Sequence, residues 1–168
     1  MSKATVVIAL FTLALTCSAD VSAQSPKQGT TSGTYSHSGT FQALVMGSDH
    51  VQINYQDWGV QQENPESTFP AKTAASRCLG AYHATLGAVD NHNGFCAGID
   101  ADGDQWFFTY EAAWTLASAQ AGTFTYVGGT GKYQGISGGG TFTYQPLRPI
   151  SEESFQGISL YKGKWKLP

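Results

Sequence analysis

From residue 40 onward, apolar and polar side chains alternate in short segments separated by turn residues, and no window of a dozen residues sustains an apolar 3.6 period. Period two places successive side chains on opposite faces of an extended chain, so the pattern predicts strands. Eight are expected: Thr40 to Met46, Val51 to Trp58, Arg77 to Leu86, Gly94 to Ile99, Gln105 to Ala112, Thr123 to Val127, Gly140 to Gln145 and Phe155 to Trp165. Gln61 to Ala75 carries Pro65 and Pro70 and reads as a loop, while Gln24 to Ser38, nearly devoid of apolar residues, reads as a flexible leader. Eight short, sequentially joined strands leave two exposed edges unless the sheet closes. The expected fold is therefore all-β, an eight-stranded antiparallel up-and-down barrel of the calycin type spanning residues 39–168, with a β-sandwich as the alternative.

The stretch before the strands has a different character. Lys3 precedes an apolar run from Ala4 to Leu15, and the small residues Val21, Ser22 and Ala23 precede Gln24, which is the pattern of a secretory signal peptide over residues 1–23. Asp20 ends the run too early for a membrane anchor, and Thr16 stands where a small residue would precede a lipidated Cys17. The expected destination is the periplasm or the exterior. Cys78 and Cys96 then form an even pair in an oxidising compartment, which points to a disulfide rather than two free thiols. Their midpoint is Gly87, where an antiparallel pair would turn.

Composition narrows the partners. Only 12% of residues are charged, and 9 Lys and Arg stand against 12 Asp and Glu, so no basic field is present to hold a phosphate backbone. Nucleic acid is excluded as a partner, and no stretch is suited to an integral membrane protein. Aromatic residues reach 12%. Trp106, Phe108 and Tyr110 alternate along the fifth strand, Phe124 and Tyr126 along the sixth, and Phe142 and Tyr144 along the seventh. Trp106, Tyr110, Phe124, Tyr126, Phe142 and Tyr144 are the candidate lumen residues: packed core in the simplest account, or the walls of an apolar ligand pocket in the functional one. Gln52 or Asn54 would add inward polar contacts.

Classical catalytic patterns are missing. Asp100, Asp102 and Asp104 with Gly103 have alternate carboxylates, yet Gln105 occupies the place a calcium loop reserves for Gly and both flanks are strand-like, so a hairpin turn is expected rather than a metal site. The glycine run Gly128 to Lys132 lacks the spacing of a phosphate loop. His37, His50, His83 and His92 share no metal-ligand spacing and read as surface or hydrogen-bonded histidines. No nucleophile elbow is present. Neither a metal nor a cofactor is expected. An enzyme would need an ionisable group facing the lumen, for which Glu111, Asp57, Arg77 and His83 are the candidates.

The run Gly128-Gly129-Thr130-Gly131-Lys132-Tyr133, followed by Gly135-Ile136-Ser137-Gly138-Gly139-Gly140-Thr141-Phe142, resembles the late turn and strand of the allene oxide cyclase and dirigent barrel group. The stretch from Cys78 through Phe95-Cys96 to Asp104 is similar to exported bacterial proteins of that barrel type with no assigned activity. The resemblance implies an eight-stranded antiparallel barrel with an apolar lumen, forming a homo-oligomer. Its enzymatic members steer reactive small molecules by pocket shape, but none of their catalytic residues maps onto a position here. Two functions follow: an exported barrel binding a hydrophobic small molecule, or a cofactor-free cyclase or isomerase using the same lumen.

Overall fold

The computed structural model describes residues 26–115 and 120–168. The expected signal peptide lies outside the described residues. Eight strands follow one another: β1 (Gln28–Met46), β2 (His50–Glu63), β3 (Thr73–Thr85), β4 (Ala88–Ile99), β5 (Gln105–Thr115), β6 (Gln120–Gly129), β7 (Ser137–Leu147) and β8 (Ser154–Lys166). Each pairs antiparallel with the next, and β1 pairs with β8 from Gln28–Lys166 to Thr40–Ser154, which closes the barrel. Closure gives both edges a partner and rules out the sandwich. A single 3₁₀ turn, Gly131–Tyr133, interrupts the β6–β7 connection.

The first strand corrects the expected leader. Residues 28–38 are not flexible: they are the half of β1 that joins β8. Their low apolarity misleads because the inward positions are Thr31, Gly33, Tyr35, His37 and Gly39, small or aromatic rather than aliphatic. Ladder hydrogen bonds on both sides hold the backbone in place of a continuous greasy stripe. The expected proline loop is likewise shorter, running over residues 64–72, because β2 continues to Glu63 and β3 starts at Thr73.

Between β3 and β4 the chain reverses at Leu86 and Gly87, with φ of 51° and 82°. Two consecutive positive φ values make the primed hairpin turn whose twist suits its flanking strands, and Gly87 adopts it without strain. A bulge between Ala81 and His83 then shifts the register by one residue and sets Cys78 opposite Cys96, where the two sulfurs stand 2.00 Å apart in a disulfide. A buried disulfide agrees with an oxidising compartment.

Candidate functional site

One end of the barrel is closed. At the closed end, loop 64–72 folds across the strand ends and inserts Phe69, which is 2% exposed. Its ring lies 5.1 Å from that of Trp106, 5.8 Å from Tyr126, 5.7 Å from Tyr133 and 6.1 Å from Trp165. The loop is tied down by backbone bonds from Asn64 N–H to the Ser32 carbonyl and from Thr68 N–H to the Thr30 carbonyl. Glu63, beneath it, accepts hydrogen bonds from Thr31, Ser67, Tyr161 and the Ser32 amide. These bonds account for a half-buried carboxylate as part of the plug.

The two sequence motifs that invited a metal or phosphate reading meet at this same end. Asp100, Asp102, Gly103 and Asp104 form the hairpin turn between β4 and β5, with Asp100 accepting from the Asp102 and Asp104 amides and from the Tyr133 hydroxyl. Lys132 reaches Asp100 at 2.7 Å and Asp102 at 2.5 Å. Gly131 has φ of 51°, and a Cβ there would fall 1.8 Å from an Asp104 oxygen, so glycine is what lets the run fold onto the acidic turn. The glycine run therefore binds the chain's own carboxylates through a backbone amide and one lysine.

Above the plug a cavity of about 210 Å³ extends toward the turns at residues 47–49, 86–87 and 148–153. All six candidate lumen aromatics line it. Room for such large rings comes from glycines on facing strands: a Cβ at Gly94 would come within 2.2 Å of the Tyr110 hydroxyl. The Tyr126 and Tyr144 hydroxyls are already engaged, the first against the Thr31 hydroxyl and the second donating to the Gln156 carbonyl at 3.1 Å. Those two rings supply wall, and the directed contacts lie elsewhere.

Two polar groupings interrupt the apolar wall. In the first, Tyr35 donates to Asp57 at 2.5 Å, and its ring stacks on His37 with centroids 4.4 Å apart and planes 4° from parallel. Burial, and then the Asp57 charge, pushes the Tyr35 phenol far above its ordinary range, so it stays a donor. His37 Nδ1 lies 3.4 Å from the other Asp57 oxygen but out of line for a hydrogen bond, and is buried without a partner. Its Nε2 stands 3.3 Å from Ser159 Oγ.

The second grouping has a direction that can be deduced. Trp114 Nε1, which can only donate, points at His92 Nδ1 at 3.3 Å. His92 Nδ1 is thus the acceptor, and in the neutral ring Nε2 carries the hydrogen and donates to the Tyr55 hydroxyl at 2.6 Å. Tyr55, accepting there, has its own hydrogen for the Tyr110 hydroxyl, which it touches, and whichever of the two phenols donates, one phenolic hydrogen is left over. That hydrogen has no acceptor among the described residues. Burial lowers His92 to about 4, against an opposing pull from Asp57, which keeps the ring neutral and the direction fixed.

This depression has a consequence for stability. The unfolded histidine takes up a proton below about 6.5, whereas the folded one resists until about 4. The contribution is fully present above pH 6.5 and is lost as pH falls toward 4, reaching at most about 3 kcal/mol. Urea unfolding at pH 7 and pH 4.5 should show this loss in the wild type and a loss smaller by about 2 kcal/mol in His92→Gln. Equal losses in both would contradict the assignment.

Of the ionisable candidates read from the sequence, Asp57 alone faces the lumen. Glu111 is exposed on the outer face, Arg77 bonds to Gln56 outside at 3.0 Å, and His83 stacks on His50 outside at 5.3 Å. Gln52 and Asn54 are outward too, because the inward set of β2 is Ile53, Tyr55 and Asp57. Of the histidines expected at the surface or in hydrogen bonds, His37 and His92 are hydrogen-bonded and face the lumen. The signal for His37 was its shared parity with Tyr35 and Phe41, hidden once the segment was taken for a leader. His92 is set by a β-bulge between Val89 and His92, at the left-handed Asn91, which no simple alternation reveals. Comparison with protein-family models, with curated proteins and with solved structures found no match for this chain.

Proposed function

We propose that this chain is an exported barrel protein that holds a small, largely apolar molecule in its lumen, inserted from the end opposite the Phe69 plug and stopped by it. The observation that carries this reading is the Trp114–His92–Tyr55–Tyr110 chain, which terminates in a buried hydroxyl hydrogen with nothing of the protein to accept it. A buried unsatisfied donor costs about 1–3 kcal/mol, and a ligand carbonyl, ether or hydroxyl oxygen would satisfy it. Aromatic walls with a few convergent polar groups are the usual composition of a small-molecule site. The closed antiparallel barrel and the glycine run support placing the chain in the allene oxide cyclase and dirigent barrel group. The signal-peptide pattern and the disulfide support export. A neutral apolar fluorophore, N-phenyl-1-naphthylamine, is expected to bind saturably at one site per chain; a wild-type protein giving no saturable signal would overturn the reading.

A second reading, a cofactor-free cyclase or isomerase of the allene oxide cyclase or dirigent type, is favoured by one feature. A carboxylate with an adjacent imidazole and a hydrogen-bonded phenol pair face the same cavity, which gives a proton acceptor and a donor to one bound molecule.

A further inference from the structure

We propose, resting on the ligand-binding reading above, that the lumen selects organic cations: molecules with one aromatic or fused-ring body and a protonated amine or quaternary ammonium head. The charge on the cavity wall sets the sign. Asp57 and Glu63 line it, and among the described residues no Lys or Arg does. Glu63 is surrounded by donors at the plug and is fully engaged there. Asp57 is different. It sits at mid-height with its side chain 5% exposed, and receives one good hydrogen bond, from a neutral phenol.

Beside it, the His37 side chain is 8% exposed, and its Nδ1 faces the second Asp57 oxygen across 3.4 Å without a hydrogen bond. A buried carboxylate with a single hydrogen bond and a buried imidazole nitrogen without a partner are both unfavourable alone. An ammonium N–H donated into that gap would satisfy the two together. A carboxylate or phosphate ligand would instead face Asp57 with no protein cation to balance it.

The surrounding rings suit the same head group. Phe155 lies 6.2 Å from His37 and 5.4 Å from Tyr55, and Tyr144 lies 5.4 Å from His37, so π-systems flank the carboxylate on the lumen side. Ring quadrupoles attract a cation strongly once water is excluded. At the mouth, Arg148 is the one basic residue in the described turns, against Asp49, Glu152 and Glu153, while at the plugged end Lys27, Lys72, Lys132 and Lys166 are balanced by Glu66, Asp100, Asp102 and Asp104. That difference draws cations toward the mouth and repels anions. The cavity, about 210 Å³, is below the roughly 300–1,000 Å³ of sites that enclose drug-sized molecules, which limits the ligand to two or three rings, the size of the N-phenyl-1-naphthylamine probe.

The test uses three size-matched indoles, tryptamine, 3-propylindole and indole-3-acetate, each displacing N-phenyl-1-naphthylamine from the full exported chain at neutral pH. The amine is expected to bind at least tenfold more tightly than the neutral compound and at least thirtyfold more tightly than the acid. In Asp57→Asn the amine's advantage over the neutral compound should fall about tenfold. If the three bind alike, or the acid binds best, in the wild type, charge selection is wrong even though the lumen binds. If the neutral probe itself fails to bind, both readings fall. The wild-type ranking decides the matter even if the Asp57 variant does not fold.

Discussion

Replacing Phe69 with alanine is expected to cost about 3–5 kcal/mol of stability, the range for a buried phenylalanine truncated in a packed site. The ring is the sole large apolar anchor of loop 64–72, a segment otherwise made of Asn, Pro, Glu, Ser, Thr, Ala and Lys. It is held by face and edge contacts with four aromatic rings drawn from β5, β6, the 3₁₀ turn and β8. Truncation leaves a hole that opens into the lumen, so the neighbouring rings lose contacts and water gains access to the Glu63 cluster. The site has little means to collapse, because those rings are fixed by their strands. For a chain of this size the midpoint of thermal unfolding should fall by roughly 10 °C, which thermal and urea melts followed by near-ultraviolet circular dichroism would show. A loss under about 1 kcal/mol would mean that Phe69 is not what closes this end.

Removing the disulfide by Cys78→Ala with Cys96→Ala is expected to cost about 3 kcal/mol, the chain-entropy value for a loop of this length. The bridge spans 18 positions and joins directly opposed residues of β3 and β4. Both sulfurs line the lumen beside Asp57, which faces Cys78 across the β2–β3 ladder. The double variant therefore also loosens the wall that holds the carboxylate. Urea unfolding gives the magnitude. Thiol titration of the exported chain, unfolded without reductant, should find no free thiol; two reactive thiols would contradict the bridge.

Much of the architecture was legible because alternation reports it directly. A polar-apolar period over β2, β5, β6 and β7 gave those strands, Gly87 gave the β3–β4 turn, and the same parity put Trp106, Tyr110, Phe124, Tyr126, Phe142 and Tyr144 on one inward face. What escaped was polar or irregular. Half of β1 hid behind Thr, Ser and Gly because a narrow lumen wants small residues opposite large rings, and such a strand has no hydrophobic stripe. His37 was lost with it. His92 escaped because a bulge resets the parity of β4 beyond Asn91. In β2 the inward set includes a carboxylate, so reading Gln52 and Asn54 as the polar lumen contacts inverted the strand's faces. The polar groups that matter most came from long-range register, which no local pattern carries.

Binding of N-phenyl-1-naphthylamine by the wild type and by two lumen-filling variants, Ala112→Trp and Gln120→Trp, tests the central claim most directly. Both positions line the cavity away from the plug. Saturable binding at one site per chain is expected in the wild type, with a loss of at least tenfold in both variants while far- and near-ultraviolet circular dichroism stays native. No saturable binding by the wild type, or undiminished binding by two folded variants, would contradict a ligand held in the lumen.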